Sequence, residues 1–417
     1  MAKQLHKKFS DDQIKELLER YLGKKIKRAA IQKVLGIGKT RFFELIKKYK
    51  DNPVGFSIDY LRKNATNKIA PEVEENIMIE LEAEKRLIQT PEVPVITYNY
   101  SYIKDRLAIE HGQNVALSTI ISRARASGYF QKKKQKAYHD REVATNYAGE
   151  LIQHDSSHHK FSPYANKWYL ITSLDDYSRY ILYAALVENE TSLAHIAALE
   201  AVALKYGLAA AYYVDSHSIF RFVQGRDSFL RKHYSLTDEK DPQWKQVLDD
   251  LGIHVEYALS PQAKGKIERP YRWIQDRLVR TCAREGINDI ADAQKVLGKE
   301  IHRYNYRQVH STTGEVPYFR FQRAIKEKVS LFREFSLPYP YKSTKDIFAL
   351  RLNRIIDAYR KVSINKMEIS LNGRPRDYVN IRIYPLNNQY CEARFWVNKE
   401  LIDIKKLKNT DLKMVHF

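Results

Sequence analysis

Between Glu150 and Arg284 short apolar runs alternate with longer helical stretches, and acids stand where one gives way to the next. Leu151-Ile152 leads to Asp155, and Trp168–Leu174 and Tyr180–Leu186 have the length and composition of strands. Thr191–Tyr206 is an Ala-rich helix, Ala209–Val214 a short apolar run ending on Asp215, His254–Tyr257 another strand and Gly265–Arg284 a long helix. Strands and helices in this order predict a mixed three-layer α/β domain. Residues 216–247 fit no regular element and read as an insertion.

Three acids in this region have positions of interest. Asp155 falls at the end of the first strand, Asp215 just after a later one, and Glu268 in the first turn of the long helix. Strand ends and a helix start can converge, but clustered carboxylates repel one another in a dry core. Divalent cations remove that penalty, and an all-oxygen ligand set suits Mg2+. Such ions assist phosphoryl displacement by stabilising both the attacking and the leaving oxygen. Each acid also has an ordinary use: Asp155 as a turn cap, Asp215 as a loop start, Glu268 as a partner of its helix dipole.

The flanks differ from this centre. Residues 10–50 predict three helices, the first capped by Ser10 and carrying Ile14, Leu17, Leu18, Tyr21 and Leu22 at helical spacing. Ala29, Ile31, Val34 and Leu35 follow, then a turn at Gly36-Ile37-Gly38 and a basic helix with Phe43, Ile46 and Tyr49. Helix, glycine-containing turn and basic helix form the helix-turn-helix pattern. Gly38-Lys39-Thr40 is not a phosphate-binding loop, because Lys33 stands where that motif needs its first glycine. Residues 71–130 predict three more helices, with Arg123 and Arg125 on the last, and either a second helix-turn-helix or a purely structural unit. From about 347 to the end, near-alternating strand formers with turns at Asn372-Gly373 and Asn387-Asn388 predict a small antiparallel barrel or sheet. Tyr339, Tyr341, Tyr359 and Tyr378 are expected to pack in its core rather than to stack on bases.

Charge points to a polyanion. Of the 417 residues, 71 are Lys or Arg and 50 Asp or Glu, a net of +21. Residues 1–50 hold 15 basic and 5 acidic side chains, so nearly half the excess sits in an eighth of the chain. Lys132, Lys133, Lys134 and Lys136 form a second basic run, read as a linker. Cys282 and Cys391 are the only cysteines, which excludes a disulfide framework. Without a long apolar run or a signal-peptide core, the expected setting is a reduced bacterial-type cytoplasm, close to the nucleoid.

Three separated segments carry a resemblance. Ser260-Pro261-Gln262-Ala263-Lys264-Gly265-Lys266-Ile267-Glu268-Arg269 closely resembles the loop-and-helix motif of the DDE transposase and retroviral-type integrase superfamily. Ser173-Leu174-Asp175-Asp176-Tyr177-Ser178-Arg179-Tyr180 resembles its second-strand signature. Tyr304-Asn305, Arg307, His310-Ser311, Gly314 and Pro317 resemble the segment after its catalytic helix. The likeness covers roughly residues 145–325. The 52 residues between Asp215 and Glu268 exceed the usual spacing, which the insertion explains.

The resemblance implies Asp155, Asp215 and Glu268 as catalytic, metal-holding carboxylates, with two Mg2+ ions and Mn2+ as a substitute. It implies a metal-dependent DNA transposase that recognises terminal inverted repeats, frees a 3′-hydroxyl and joins it to target DNA. Double-stranded DNA and further copies of the chain would be its partners, with no membrane role. The corresponding architecture is multidomain: helix-turn-helix modules at 1–52 and 53–130, a basic linker at 131–144, an RNase H-like core at 145–330 and a C-terminal β-barrel at 331–417. Expected DNA contacts are Lys39, Thr40, Arg41, Lys47, Lys48, Arg123, Arg125, Lys132, Lys133, Lys134, Lys264, Lys266 and Arg269. His154, His158 and His159 crowd Asp155, but imidazoles suit Zn2+ better than Mg2+, so substrate contact or packing is expected of them. Asp175 and Asp176 are assigned to a turn. A transposase-derived DNA-binding protein without activity and an RNase H-like nuclease are the rival readings.

Overall fold

The structure, a computed structural model, describes residues 5, 8–58, 69–132, 145–215, 242–258, 265–365 and 367–412, without the side chains of 265–269. It divides into two compact units, residues 1–74 and 75–417.

In the first unit, α1 (Asp11–Leu22), α2 (Arg28–Leu35) and α3 (Lys39–Asp51) follow one another closely. Ser10 accepts from the Gln13 amide while the Gln13 side chain accepts from Ser10, so the start of α1 is capped from both sides. Gly36 ends α2 at φ +63°, a conformation glycine adopts without a Cβ penalty. Ile14, Leu18, Ile31, Leu35, Phe42, Leu45 and Ile46 form the core. The face of α3 differs from expectation by one residue. Phe42 is fully buried and Phe43 lies 42% exposed, because Phe42, Leu45, Ile46 and Tyr49 make the continuous stripe. Val34 is likewise on the outside.

The second unit is built on a five-stranded sheet ordered β3-β2-β1-β4-β5, from β1 (Leu151–His159), β2 (Trp168–Asp175), β3 (Ile181–Val187), β4 (Ala211–Val214) and β5 (His254–Tyr257). The first three strands are antiparallel neighbours, and β4 and β5 join parallel to β1. One face packs on α7 (Ser192–Tyr206) and α8 (Gln243–Asp250), through Ile152, Tyr212, Val214, Ile196, Leu199, Trp244 and Val247. The other packs on α9 (Gly265–Glu285) and α10 (Ile290–Tyr306), through Leu170, Leu174, Tyr271, Ile274, Leu278 and Leu297. This is the expected three-layer arrangement, with strands and helices where the apolar runs placed them.

Helix α8 corrects the insertion reading. Residues 216–241 lie outside the described set, but Trp244, Val247 and Leu248 are completely buried in the central core. Eight residues spanning two turns offer only one helical repeat, too little for periodicity alone to distinguish helix from loop.

Helices α4 (Pro71–Gln89), α5 (Tyr100–Glu110) and α6 (Leu117–Ala126) complete the helical part. From Glu75 on they belong with the α/β sheet, because α4 and α5 bear on the outer side of α9. Arg280, fully buried, pairs with Glu84 and with Asp276 (2.8 Å). Arg284 reaches Glu80 at 2.6 Å, Arg277 pairs with Asp105, and the Tyr102 hydroxyl meets Thr281 at 2.9 Å. Removing one partner from such a buried set would leave the other charge uncompensated.

Among the described residues the C-terminal region does not close into a barrel. A four-stranded antiparallel sheet, β11-β10-β9-β6, is formed by β6 (Leu350–Ile355), β9 (Tyr378–Pro385), β10 (Tyr390–Val397) and β11 (Glu400–Lys408), after α11 (Pro317–Lys326) and the single turn α12 (Thr344–Ile347). Its apolar face is covered by the separate hairpin of β7 (Lys361–Ile364) and β8 (Met367–Ser370), through Val362, Ile364 and Ile369. With that face already covered, burial does not require the sheet to curl shut. Only Tyr341 packs as expected, against Trp396 and under Arg382; Tyr339, Tyr359 and Tyr378 are exposed. The sheet docks on the core through Asp250 of α8, which accepts from Arg351 (2.8 Å) and Arg382 (3.0 Å).

Candidate active site

β1 and β4 run parallel, with Leu151 opposite Ala211 and Gln153 opposite Tyr213. Two residues further along each stand Asp155 and Asp215, at one level and, by strand alternation, on one face. Asp155 is mid-strand, not at the strand end as expected: β1 continues to His159 on its pairing with β2. Among the described residues both carboxylates are nevertheless half-buried, and β4 ends at Val214, short of the rest of β1.

Helix α9 faces the pair. The Tyr271 hydroxyl donates to the Asp155 carbonyl oxygen at 2.5 Å, and Gln275 one turn on reaches Ser157. Burial holds the Tyr271 phenol well above its ordinary range, and the charges of Asp155, Glu190 and Asp215 add to the effect. One phenol therefore feels both carboxylates. Glu268 lies three residues before Tyr271 in the same helix, a spacing that puts two residues on one helical face. Its side chain, with those of Lys266 and Arg269, is outside the described set, and Lys264, Lys133 and Lys134 lie wholly outside it. Among the described residues no three acid, His or Cys side chains gather as a metal site. Two half-buried carboxylates at one level are nonetheless hard oxygen donors of the kind Mg2+ takes.

The three histidines make contacts within the protein. His154 points to the opposite face, its Nδ1 2.9 Å from Ser173 Oγ and its Nε2 2.8 Å from His195 Nδ1. His158 stacks on Tyr169 at 4.2 Å, and His159 meets Phe161 edge-on. Asp175 and Asp176 serve the β2–β3 turn and more. Asp175 accepts from the amides of Gly149 and Ser178, and burial pushes its carboxyl up to about 6. Asp176 accepts from Gln153 (2.6 Å), Arg179 (2.8 Å) and Thr145 (2.8 Å).

The second and third motifs meet each other rather than the acids. Asn305 bonds both the amide (3.0 Å) and the carbonyl (2.9 Å) of Ile181, Tyr306 meets Tyr180 at 3.2 Å, and Arg320 donates to the Tyr177 carbonyl. They latch the turn beside the start of β1, several residues from Asp155. Sequence reading missed Tyr271 and Glu190. Neither carried a distinguishing signal: Tyr271 reads as one of the apolar-face residues of α9, and Glu190 lies in a loop.

Of the expected DNA contacts, Lys39, Thr40, Arg41, Lys47 and Lys48 are exposed on α3. Arg41 pairs with Glu44 at 2.8 Å, and Lys48 is tied to the Ser57 carbonyl. Arg125 lies over the Phe130 ring at 4.5 Å, Arg123 is half-buried and Lys132 exposed. No described helix is long and apolar enough to cross a membrane.

No family model matches the chain. Among curated proteins it is 29% identical over 203 residues to "Putative transposase y4bF" of Sinorhizobium fredii (strain NBRC 101917 / NGR234), covering 48% of this chain and 43% of that protein. It is 28% identical over 225 residues to "Transposase for insertion sequence IS1202" of Streptococcus pneumoniae, covering 54% and 43%. The chain thus spans less than half the length of these relatives. Among solved structures it is similar to the HTLV-2 integrase catalytic core domain in complex with magnesium, with 18% identity, a TM-score of 0.31, and coverage of 43% of this chain and 99% of that one. It is also similar to a chain of the simian T-cell lymphotropic virus intasome in complex with the PP2A regulatory subunit B56 gamma, with 12% identity, a TM-score of 0.35 and coverage of 73% and 94%. Over about half its length the chain is thus similar in sequence to transposases, in keeping with the resemblance of its three motif segments to the DDE transposase and retroviral-type integrase superfamily.

Proposed function

We propose that this chain is a DNA transposase that cleaves the ends of a mobile element and joins them to target DNA. The observation that carries the reading is the placement of Asp155 in β1 and of Asp215 just past β4, each two residues beyond the last paired position of these parallel strands, beside the helix that bears Glu268. The sheet order and the mixture of antiparallel and parallel pairs support an RNase H-like core. On this reading Asp155, Asp215 and Glu268 hold two Mg2+ ions, with Mn2+ as a substitute. Bound there, the ions would offset the repulsion among the carboxylates and supply Lewis acidity toward the phosphodiester.

The chain's own contribution is placement. Asp155 stands on β1 and Asp215 directly follows β4, its parallel neighbour, so one hydrogen-bonded sheet sets where both begin. Tyr271 ties the start of α9 to the backbone of Asp155 itself. Lys264, Lys266 and Arg269 would steady neighbouring phosphates. In the first unit, α3 with exposed Lys39, Thr40, Arg41 and Lys47 is the proposed recognition helix, and Arg123, Arg125 and the Lys132–Lys134 run are further backbone contacts. The residue ranges given above are the proposed domains, with two copies of the chain or more needed to bring two element ends together.

Asp215→Asn tests this. The variant is expected to lose strand cleavage and joining while binding an end-sequence duplex as the parent does. Measurable joining by Asp215→Asn would remove Asp215 from the site, and full activity of Asp155→Asn as well would remove the transferase reading.

A further inference from the structure

Behind Asp155 a chain of side-chain hydrogen bonds leaves β1 at one residue and returns to it two residues later. Ser173 Oγ on β2 lies 2.9 Å from His154 Nδ1, and His154 Nε2 lies 2.8 Å from His195 Nδ1 on α7. His195 Nε2 lies 3.0 Å from Glu190 Oε1, and the same oxygen accepts from the Ser156 hydroxyl. His154 and Ser156 are the residues immediately before and after Asp155. Their side chains share the face opposite to Asp155, so the chain grips the strand from its reverse side at both neighbours.

When both rings are neutral, one direction satisfies every donor and acceptor. A carboxylate only accepts, so His195 donates from Nε2; with both rings neutral, its Nδ1 accepts from His154 Nε2–H and His154 Nδ1 accepts from the Ser173 hydroxyl. Each bond then carries one proton. The rings cannot rotate away, since His154 is stacked on Trp244 at 5.5 Å and His195 and Ser173 are fully buried. Glu190 itself is held at the entry to α7, where Thr191 caps the first turn through the Ala194 amide. Its charge also reaches Tyr271 on the catalytic side.

We infer that Glu190 and His195, through Ser156 and His154, are positioning residues that set the height and tilt of β1 at Asp155. The inference rests on the transferase reading. It assigns Glu190 an accepting oxygen as its function, not a charge and not a place among the metal-holding acids.

The test uses the full chain, Mg2+ and a labelled duplex carrying the inverted repeat that flanks the gene, with joining to plasmid DNA as readout. Glu190→Ala and Ser156→Ala, both at half-buried positions where loss of fold is least expected, should each lower kcat by about 10- to 100-fold. KM for the duplex should stay at the parent value, and the thermal midpoint identifies any variant that fails to fold. Glu190→Gln keeps an oxygen able to accept from both Ser156 and His195 and should recover most of the loss. A parental kcat in Glu190→Ala overturns the inference. So does a Glu190→Gln as inactive as Asp155→Asn, which would make Glu190 a required charge. Activity in Asp155→Asn would instead overturn the transferase reading, and this inference with it.

Discussion

Gly207 shows how one residue permits a long-range contact. It ends α7 at φ +97°, and a Cβ there would come 2.4 Å from the Arg333 carbonyl oxygen. Leu208 next to it exchanges backbone hydrogen bonds with Arg333, and Gly149 at φ +74° lies equally close under Phe332. Two glycines thus let residues 330–333 lie flat against the core. Gly207→Ala is expected to destabilise the second unit by about 1–3 kcal/mol, from strain and the displaced strap together. Denaturant unfolding checks this, and an unchanged midpoint would show that the strap contributes nothing. At the same scale, the sequence named Asp155 and Asp215 but could not see Tyr271 as their neighbour, because a tyrosine on an apolar helix face has the same pattern whether or not its hydroxyl meets a site.

Elements meet through buried polar groups, and these make stability depend on pH. Glu200 of α7 receives the Tyr384 hydroxyl of β9 at 3.2 Å, and burial pushes its carboxyl up to about 7. An exposed Glu titrates near ~4.3, so the folded state holds this proton more tightly than the unfolded chain does. The contribution is fully present below that pH and is lost as pH rises through about 7. Asp175, pushed up to about 6, acts in the same direction. Glu200→Gln should therefore flatten the fall in stability between pH ~4.3 and 7, measured as denaturant midpoint against pH. A slope equal to the parent's would assign that fall elsewhere. The third segment also belongs to this scale: Asn305 fastens the start of β3 through both backbone groups of Ile181, so its work is structural.

At the scale of the whole molecule, most of the charge excess resolves into placement. The first unit presents lysines on α3, whereas arginines of the second unit are spent inside: Arg277, Arg280, Arg351, Arg382 and Arg394 are buried and paired with acids. The number of arginines therefore overstates the basic surface available to DNA in the second unit. If α3 docks on duplex DNA as proposed, Lys39→Ala and Lys47→Ala should each reduce the slope of log affinity against log salt by about 0.9. Fluorescence anisotropy over a salt series measures it. A slope unaffected by both changes would move recognition away from α3.

The sequence by itself determined the order of the main elements, the three-layer α/β centre and the three helices of the first unit. These follow from periodicity, turn residues and local hydrogen bonds, which act over a few neighbouring positions. Only the tertiary structure decided that β4 stops beside Asp155, that α8 is core rather than insertion, and that the C-terminal sheet stays open under the β7–β8 hairpin. It alone joined His154, His195, Glu190 and Ser156 into one chain, and α4 to α9 through Arg280 and Glu84. Those contacts link residues up to 196 positions apart, and no local pattern encodes which distant partner a buried polar side chain will find.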